Sequence, residues 1–249
     1  MTPIRYSHLR AIGRSPAHYR HACEGVREAT PAMRLGTIVH GLVLGGGKTV
    51  VYDGERRGKA WQEFQAAHAG REIVTAAEVA RAVPIADAVG MDPVAGPMLH
   101  AQDAQVETTL TWTMDGLSCQ GTPDYFDPST GILFDLKTCS DASPRAFSRH
   151  AWSYSYHAQL AWYANALTLA GHTVRECLLV AVETSGPYGV SVHRLSPRML
   201  AEGHRQWRAW WEQLRVCLAA DQWPGYAESV CELDVPAWIV DEDDAADEG

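Results

Sequence analysis

One stretch, from Val106 to Thr138 (VETTLTWTMDGLSCQGTPDYFDPSTGILFDLKT), constrains the fold more than any other. Its first part alternates, with Val106, Leu110, Trp112 and Met114 on one face and mostly Glu107 and threonines on the other, as in a half-buried strand. Asp115-Gly116 between two apolar runs is a strong signal for a two-residue hairpin turn. If Met114 pairs with Leu117, counting back along both strands sets Glu107 opposite Asp124. Pro128-Ser129-Thr130-Gly131 marks a second turn. Closed as a two- or four-residue loop, it sets Asp124 opposite Asp135. An odd loop or a bulge would send Asp135 to the other face. The even reading puts three carboxylates in a row across three antiparallel strands. Lys137 shares that face and Leu136 points away from it.

Like charges directly opposite each other destabilise a sheet. Three aligned acids therefore need a raised pKa or a cation, and oxygen ligands suit Mg²⁺ or Mn²⁺. Any single Asp here reads as well as part of a solvated polar face. The aligned set with a lysine at the same end reads as a site.

The chain has 249 residues, enough to bury a sizeable core. It reads as one domain over residues 1–240: a mainly helical part to 105, a sheet-and-helix part over 106–195, and a C-terminal helix over 196–220. No repeat or linker interrupts it. No apolar run is long enough for a bilayer, and the N-terminus lacks a signal-peptide core, so no membrane association and a cytoplasmic location are expected. The six cysteines form no CxxC pair, which argues against a zinc site or a disulfide framework and for reduced, mostly buried thiols. The net charge of −9 comes mostly from the terminal DEDDAADEG, residues 241–249, expected to be a disordered tail. A local basic groove can coexist with such a net charge.

Around the central stretch the elements are mostly helical. Ser7 is placed to cap a helix ending near Gly13, and Ser15-Pro16 opens another. Arg5, Arg10, Arg14, Arg20, His18 and His21, with Tyr6 and Tyr19 among them, make a basic aromatic segment that suits phosphate contacts or simply a solvated face. Ala32 to Leu44 reads as a buried helix with His40 near its centre; a lone His there is commonly a core residue. The glycine-rich run Gly41 to Thr49 (GLVLGGGKT) hints at a phosphate loop, but it follows a helix and leads into strand-like VVY, the wrong context. Ser140 to Arg149 reads as a polar connection, and Trp152 to Ala170 as one long helix in which Gln159 and Tyr163 share a face. Glu176 to Val182 and Val190 to Leu195 read as strands, and Pro197 to Ala220 as a helix with a Trp207, Trp210, Trp211, Leu214 stripe.

GTPD, a spacer, then DLK resembles the PD-(D/E)XK nuclease superfamily, with Asp124 as the first acid and Asp135 and Lys137 as the (D/E)XK pair. GTIVH resembles that superfamily's helical histidine, at His40, and YHAQLAWY its Gln-xxx-Tyr helix, at Gln159 and Tyr163. The order of these motifs with YSHLRAIGRSPAHY is similar to the RecE-like (exodeoxyribonuclease VIII-type) nuclease domain of prophages.

The resemblance implies an α/β fold: a restriction-endonuclease-like core, with a mixed central sheet and an antiparallel three-strand meander flanked by helices. It implies a Mg²⁺-dependent exonuclease acting on linear double-stranded DNA ends in phage-type recombination, without an iron–sulfur cluster. Asp124, Asp135 and the Leu136 carbonyl would hold the cation, with His40 and Glu107 at a second position. Lys137, Gln159 and Tyr163 would act on the attacking water and the phosphate. A homo-oligomer and a single-strand annealing partner are further implications. A site-specific or structure-specific endonuclease on the same fold, a silent DNA-binding scaffold and a P-loop protein are the alternatives.

Overall fold

The structure, a computed structural model, describes residues 2–25, 29–47 and 49–235. The acidic terminal run and Lys48 lie outside the described residues.

The chain opens with β1 (Ile4–Arg5), α1 (Tyr6–Ile12) and α2 (Pro16–Glu24). Ser15 caps α2 by accepting from the His18 N–H, with Pro16 in the first turn. Ser7 does not cap α1. The helix begins at Tyr6, and Arg5, held extended by strand pairing, stands at its N-cap. α3 (Pro31–Leu44) is capped by Thr30 and closed by Gly45 at φ 74°, a left-handed position that favours glycine. β2 (Thr49–Val51), α4 (Gly58–Ala67) and β3 (Glu72–Val74) follow, the two strands pairing in parallel. The glycine-rich run therefore links a helix to a strand, the reverse of a phosphate loop. α5 (Ala76–Met91) starts from a Thr75–Glu78 capping box, and a short α6 (Ala95–Met98) occupies the expected Gly96-Pro97 loop.

The central stretch forms β4 (Gln105–Val106), β5 (Leu110–Met114), β6 (Leu117–Gly121), β7 (Tyr125–Asp127) and β8 (Ile132–Cys139). The meander is present, but its first two strands are each broken once. Met114 pairs with Leu117 and Leu110 with Gly121, then Val106 pairs with Tyr125 in unchanged register. Between them Glu107 sits at φ 45°, and the chain bends there. The hairpin tip joins β1 in the order β1-β6-β5, while its base joins the main sheet.

α7 (Pro144–Ser153), α8 (Tyr156–Leu169), β9 (Glu176–Glu183), β10 (Val190–Arg194) and α9 (Pro197–Ala220) complete the chain. The polar connection expected over Ser140 to Arg149 is largely helical, and the expected long helix breaks at Ser155, φ 57°. The Tyr6 hydroxyl donates to the Ser155 carbonyl at 2.5 Å and holds the break.

The main sheet runs β10-β9-β8-β7-β4, with β8 and β9 parallel across the α7–α8 connection and the other pairs antiparallel. Both faces of β8 and β9 are buried. Leu133, Cys177, Leu179 and Ala181 pack toward α1, α8 and α9. Phe134, Leu136, Leu178, Val180 and Val182 pack toward α3 and α5. Near-continuous apolar runs are what a doubly covered parallel pair requires. Trp162 is fully buried, its ring against those of Trp112, Trp207 and Trp211. Truncating such a residue to alanine costs about 3–5 kcal/mol. Four cysteines are buried, and Cys23 and Cys231 are exposed. Among the described residues no helix is long and apolar enough to cross a membrane.

Candidate active site

The turn between β7 and β8 has four residues, Pro128 to Gly131, so parity is even. Tyr125 pairs with Phe134, their rings stacked at 4.3 Å, which locks the register one residue before the acids. The two strands then part. Asp124 fills the gap, and its Oδ2 accepts the Leu136 N–H at 2.8 Å. A strand residue presents its N–H and carbonyl to the same edge, so the Leu136 carbonyl faces this gap too. Asp135 and Lys137 lie on the α8 face of β8, and the Leu136 side chain is buried on the α3 face.

The bend at Glu107 and the middle of α3 meet Asp124 from the other side. The Glu107 N–H donates to the Asp124 carbonyl at 3.0 Å. His40 Nδ1 lies 3.5 Å from Asp124 Oδ2. One donor atom from each of His40, Glu107 and Asp124 lies within 4.8 Å of the others. Gly46 lies against this cluster, and a Cβ there would overlap the Glu107 carboxylate. One imidazole and two carboxylates fit Mn²⁺ and Mg²⁺ better than a soft metal. Asp135 is not part of this close set, and its carboxylate is ion-paired with Lys137.

Lys137 is fixed from several directions. Its ammonium is ion-paired with the Asp135 carboxylate. It donates to Gln159 Oε1 at 3.1 Å, and Gln159 Nε2 donates to the Tyr163 hydroxyl oxygen at 3.1 Å. It also sits 4.5 Å from the centre of the Tyr156 ring. Burial pulls the Lys137 ammonium down, but Asp135 and Asp124 outweigh it and hold it above its ordinary value. Burial, then the Asp124 charge, push the Asp135 carboxyl up to about 6, against the pull of Lys137. Burial would raise Asp124 too, but His40, Lys137 and the Leu136 N–H bring it below the usual range. Burial likewise opposes the His40 charge, yet Asp124 leaves that imidazole raised.

Arg10 and Arg14 line a separate cleft between α1, α2 and α9. Arg20 is exposed and paired with Glu24 at 3.0 Å. Tyr19 does not reach solvent as a nucleic-acid contact needs: it is buried, its ring stacked on Trp223 at 5.5 Å. Sequence reasoning gave no role in the site to Tyr156 and Gly46, and named Tyr6 only within the basic aromatic segment. Tyr156 had a readable signal, since i to i+3 spacing puts it on the Gln159 face. Gly46 had none.

The family model described as "PDDEXK-like domain of unknown function (DUF3799)" matches residues 6–234. The chain belongs to this family. The membership places it in the PD-(D/E)XK nuclease superfamily and supports a nuclease. A crystal structure named "Putative exonuclease" from Eubacterium rectale superposes with a TM-score of 0.65 over 96% of this chain and 92% of that one. At 13% identity the likeness shows a shared fold. A structure named "SSO0001" overlaps 43% of this chain and 50% of that one, with 14% identity and a TM-score of 0.28, which carries no argument. No curated protein matches the chain.

Proposed function

We propose that this chain is a divalent-metal-dependent exonuclease that hydrolyses phosphodiester bonds of linear double-stranded DNA. The observation that carries the reading is the adjacency, along β8, of a metal-type donor set and an anchored lysine. His40, Glu107 and Asp124 would hold Mg²⁺ or Mn²⁺, with Asp135 and the Leu136 carbonyl at the edge of the same gap. A cation there supplies Lewis-acid stabilisation of the phosphate and a more acidic water.

The protein's own groups do the rest. The ion pair, Gln159 and the Tyr156 ring hold the Lys137 ammonium in one place, aimed at the gap between β7 and β8. Asp135 and Asp124 favour the charged form of Lys137. It would position or deprotonate the attacking water, or stabilise negative charge on the phosphate. Gln159 fixes the direction of that charge, and Tyr163 fixes Gln159. Arg10, Arg14 and Arg20 supply phosphate contacts outside the site. The RecE-like motif order supports action at duplex ends during phage-type recombination, in a homo-oligomer and beside a single-strand annealing protein.

The deciding experiment incubates linear duplex DNA with Mg²⁺ and compares the parent with Asp135→Ala and Lys137→Ala. The parent releases nucleotides, and both variants are slower by at least about 100-fold. A parent that releases none, or variants that match it, would remove the catalytic assignment. Nicking of closed circles would turn the reading to an endonuclease.

A further inference from the structure

The cleft beside the site has a lining unlike the rest of this acidic protein. It encloses about 790 Å³ between α1, α2, α9 and the α7–α8 break. Arg10, Arg14, His18 and His21 line it, together with Tyr154 and Trp210 and without any Asp or Glu among the described residues. A chain of net charge −9 has here a concave surface of one sign, which concentrates field and attracts polyanions.

Neither arginine is exhausted by its protein contacts. Arg10 Nη1 donates to the Tyr154 carbonyl at 2.9 Å, and Arg14 Nη2 to the Tyr226 hydroxyl at 3.2 Å. A guanidinium has five N–H donors, so each has donors left for phosphate oxygens. Tyr154 lines the cleft and is 48% exposed, its ring stacked by His150 at 4.5 Å and Tyr156 at 5.7 Å.

Three consecutive residues connect the site to the cleft. Tyr154 lines it, Ser155 turns the chain in the left-handed region under the Tyr6 hydroxyl, and Tyr156 carries the Lys137 ammonium on its ring. A non-glycine residue held at positive φ by a distant side chain is a position the surroundings enforce.

We propose that this cleft binds single-stranded DNA, its arginines on the phosphates and Tyr154 stacking on an unpaired base, and guides the strand to Lys137. Basic side chains interleaved with accessible aromatic rings suit single strands, because a duplex hides its base faces in its own stack. The proposal rests on the nuclease reading for the strand's destination but not for its binding.

The test measures fluorescence anisotropy of a labelled oligothymidylate and of a labelled blunt hairpin duplex, in EDTA, with the full chain. Tyr154→Ala weakens oligothymidylate binding about tenfold and duplex binding far less. Arg14→Gln weakens it and flattens its dependence on salt. Arg81→Gln, an exposed charge on α5 across the sheet, leaves it unchanged. Variants that bind oligothymidylate like the parent overturn the proposal, as does equal loss for duplex and single strand on Tyr154→Ala. Nucleotide release from linear duplex with Mg²⁺ is measured in parallel. Release with normal binding by Tyr154→Ala leaves the nuclease reading standing and removes the cleft. No release by the parent, with binding lost in the variant, does the reverse.

Discussion

Lys137 Nζ and Gln159 Oε1 lie 3.1 Å apart, one on a central strand and one on the helix that covers it. The contact ties the direction of the lysine to the packing of α8 on the sheet. Gln159 is itself oriented by Tyr163 at 3.1 Å, so the three form a line from core to site.

Loss of the amide is therefore expected to cost rate more than fold. Gln159→Leu keeps the volume and removes the acceptor, leaving a buried ammonium short of a partner. Turnover on linear duplex DNA should fall about 10–100-fold. Tyr163→Phe acts only through Gln159 and should cost less. Thermal unfolding followed by circular dichroism separates this from destabilisation. A Gln159→Leu protein that melts like the parent and cleaves like it would show that Lys137 needs no guide.

The four-residue turn sets the parity of the acids, and Asp127 builds it. Its Oδ1 accepts the Ser129 N–H at 2.8 Å and the Ser129 hydroxyl at 2.7 Å, while Oδ2 accepts the Thr130 hydroxyl at 2.7 Å. Asp127→Ala should destabilise the protein by about 1–3 kcal/mol, the worth of hydrogen bonds to a charged group. The bonds from Thr130 and then Ser129 lower the Asp127 pKa. A carboxylate depressed on folding contributes stability that is present above its unfolded value of about 3.9 and lost as pH falls through the lower native one. The parent and Asp127→Asn should therefore differ in urea midpoint at pH 6 and converge toward pH 2. A constant difference across that range would remove Asp127 as the cause.

The first turn's parity was legible, because Asp115-Gly116 is a local signal and side-chain alternation is rigid at period two. Pro128 to Gly131 marked a second turn but left its parity open; with the four-residue closure that the structure has, Glu107, Asp124 and Asp135 fall in the register of the even reading. The bend at Glu107 was not legible, since a positive φ at a glutamate is imposed by two sheets pulling one hairpin apart. The break at Ser155 depends on Tyr6, about 150 residues away in the chain. Burial of Tyr19 depends on Trp223, in a segment with no periodic pattern. The division of the acids, Asp124 to the His40 and Glu107 side and Asp135 to Lys137, follows from side-chain packing that register alone does not determine.

The His40–Asp124 pair predicts opposite pH trends with and without metal. Asp124 outweighs burial and raises His40, and His40 in turn helps depress Asp124. In EDTA the raised histidine contributes stability that is full below about 6.5 and lost as pH rises through its higher native value. The depressed carboxylate contributes above about 3.9 and is lost as pH falls. The apo protein should gain most from the pair between these limits. A metal needs the neutral imidazole, so Mn²⁺ affinity by calorimetry should rise with pH across the same range. His40→Ala should flatten both trends. A Mn²⁺ affinity that His40→Ala does not change would take His40 out of the donor set.

Gly46 tests the same donor set from the backbone. Its Cα lies so close to the Glu107 carboxylate that any Cβ would overlap it. Gly46 does not carry a positive φ, so alanine there meets a steric limit and no backbone strain. Gly46→Ala should push the Glu107 carboxylate away from Asp124 while leaving β8 and Lys137 in place. Mn²⁺ affinity should then fall about 10–100-fold, the loss typical of a disturbed ligand environment. Oligothymidylate binding in EDTA should be unchanged, because the basic cleft lies on the α1–α9 side. Unaltered Mn²⁺ binding in a folded Gly46→Ala protein would mean that Glu107 is not a ligand, and that His40 and Asp124 draw their remaining oxygens from Asp135 and the Leu136 carbonyl.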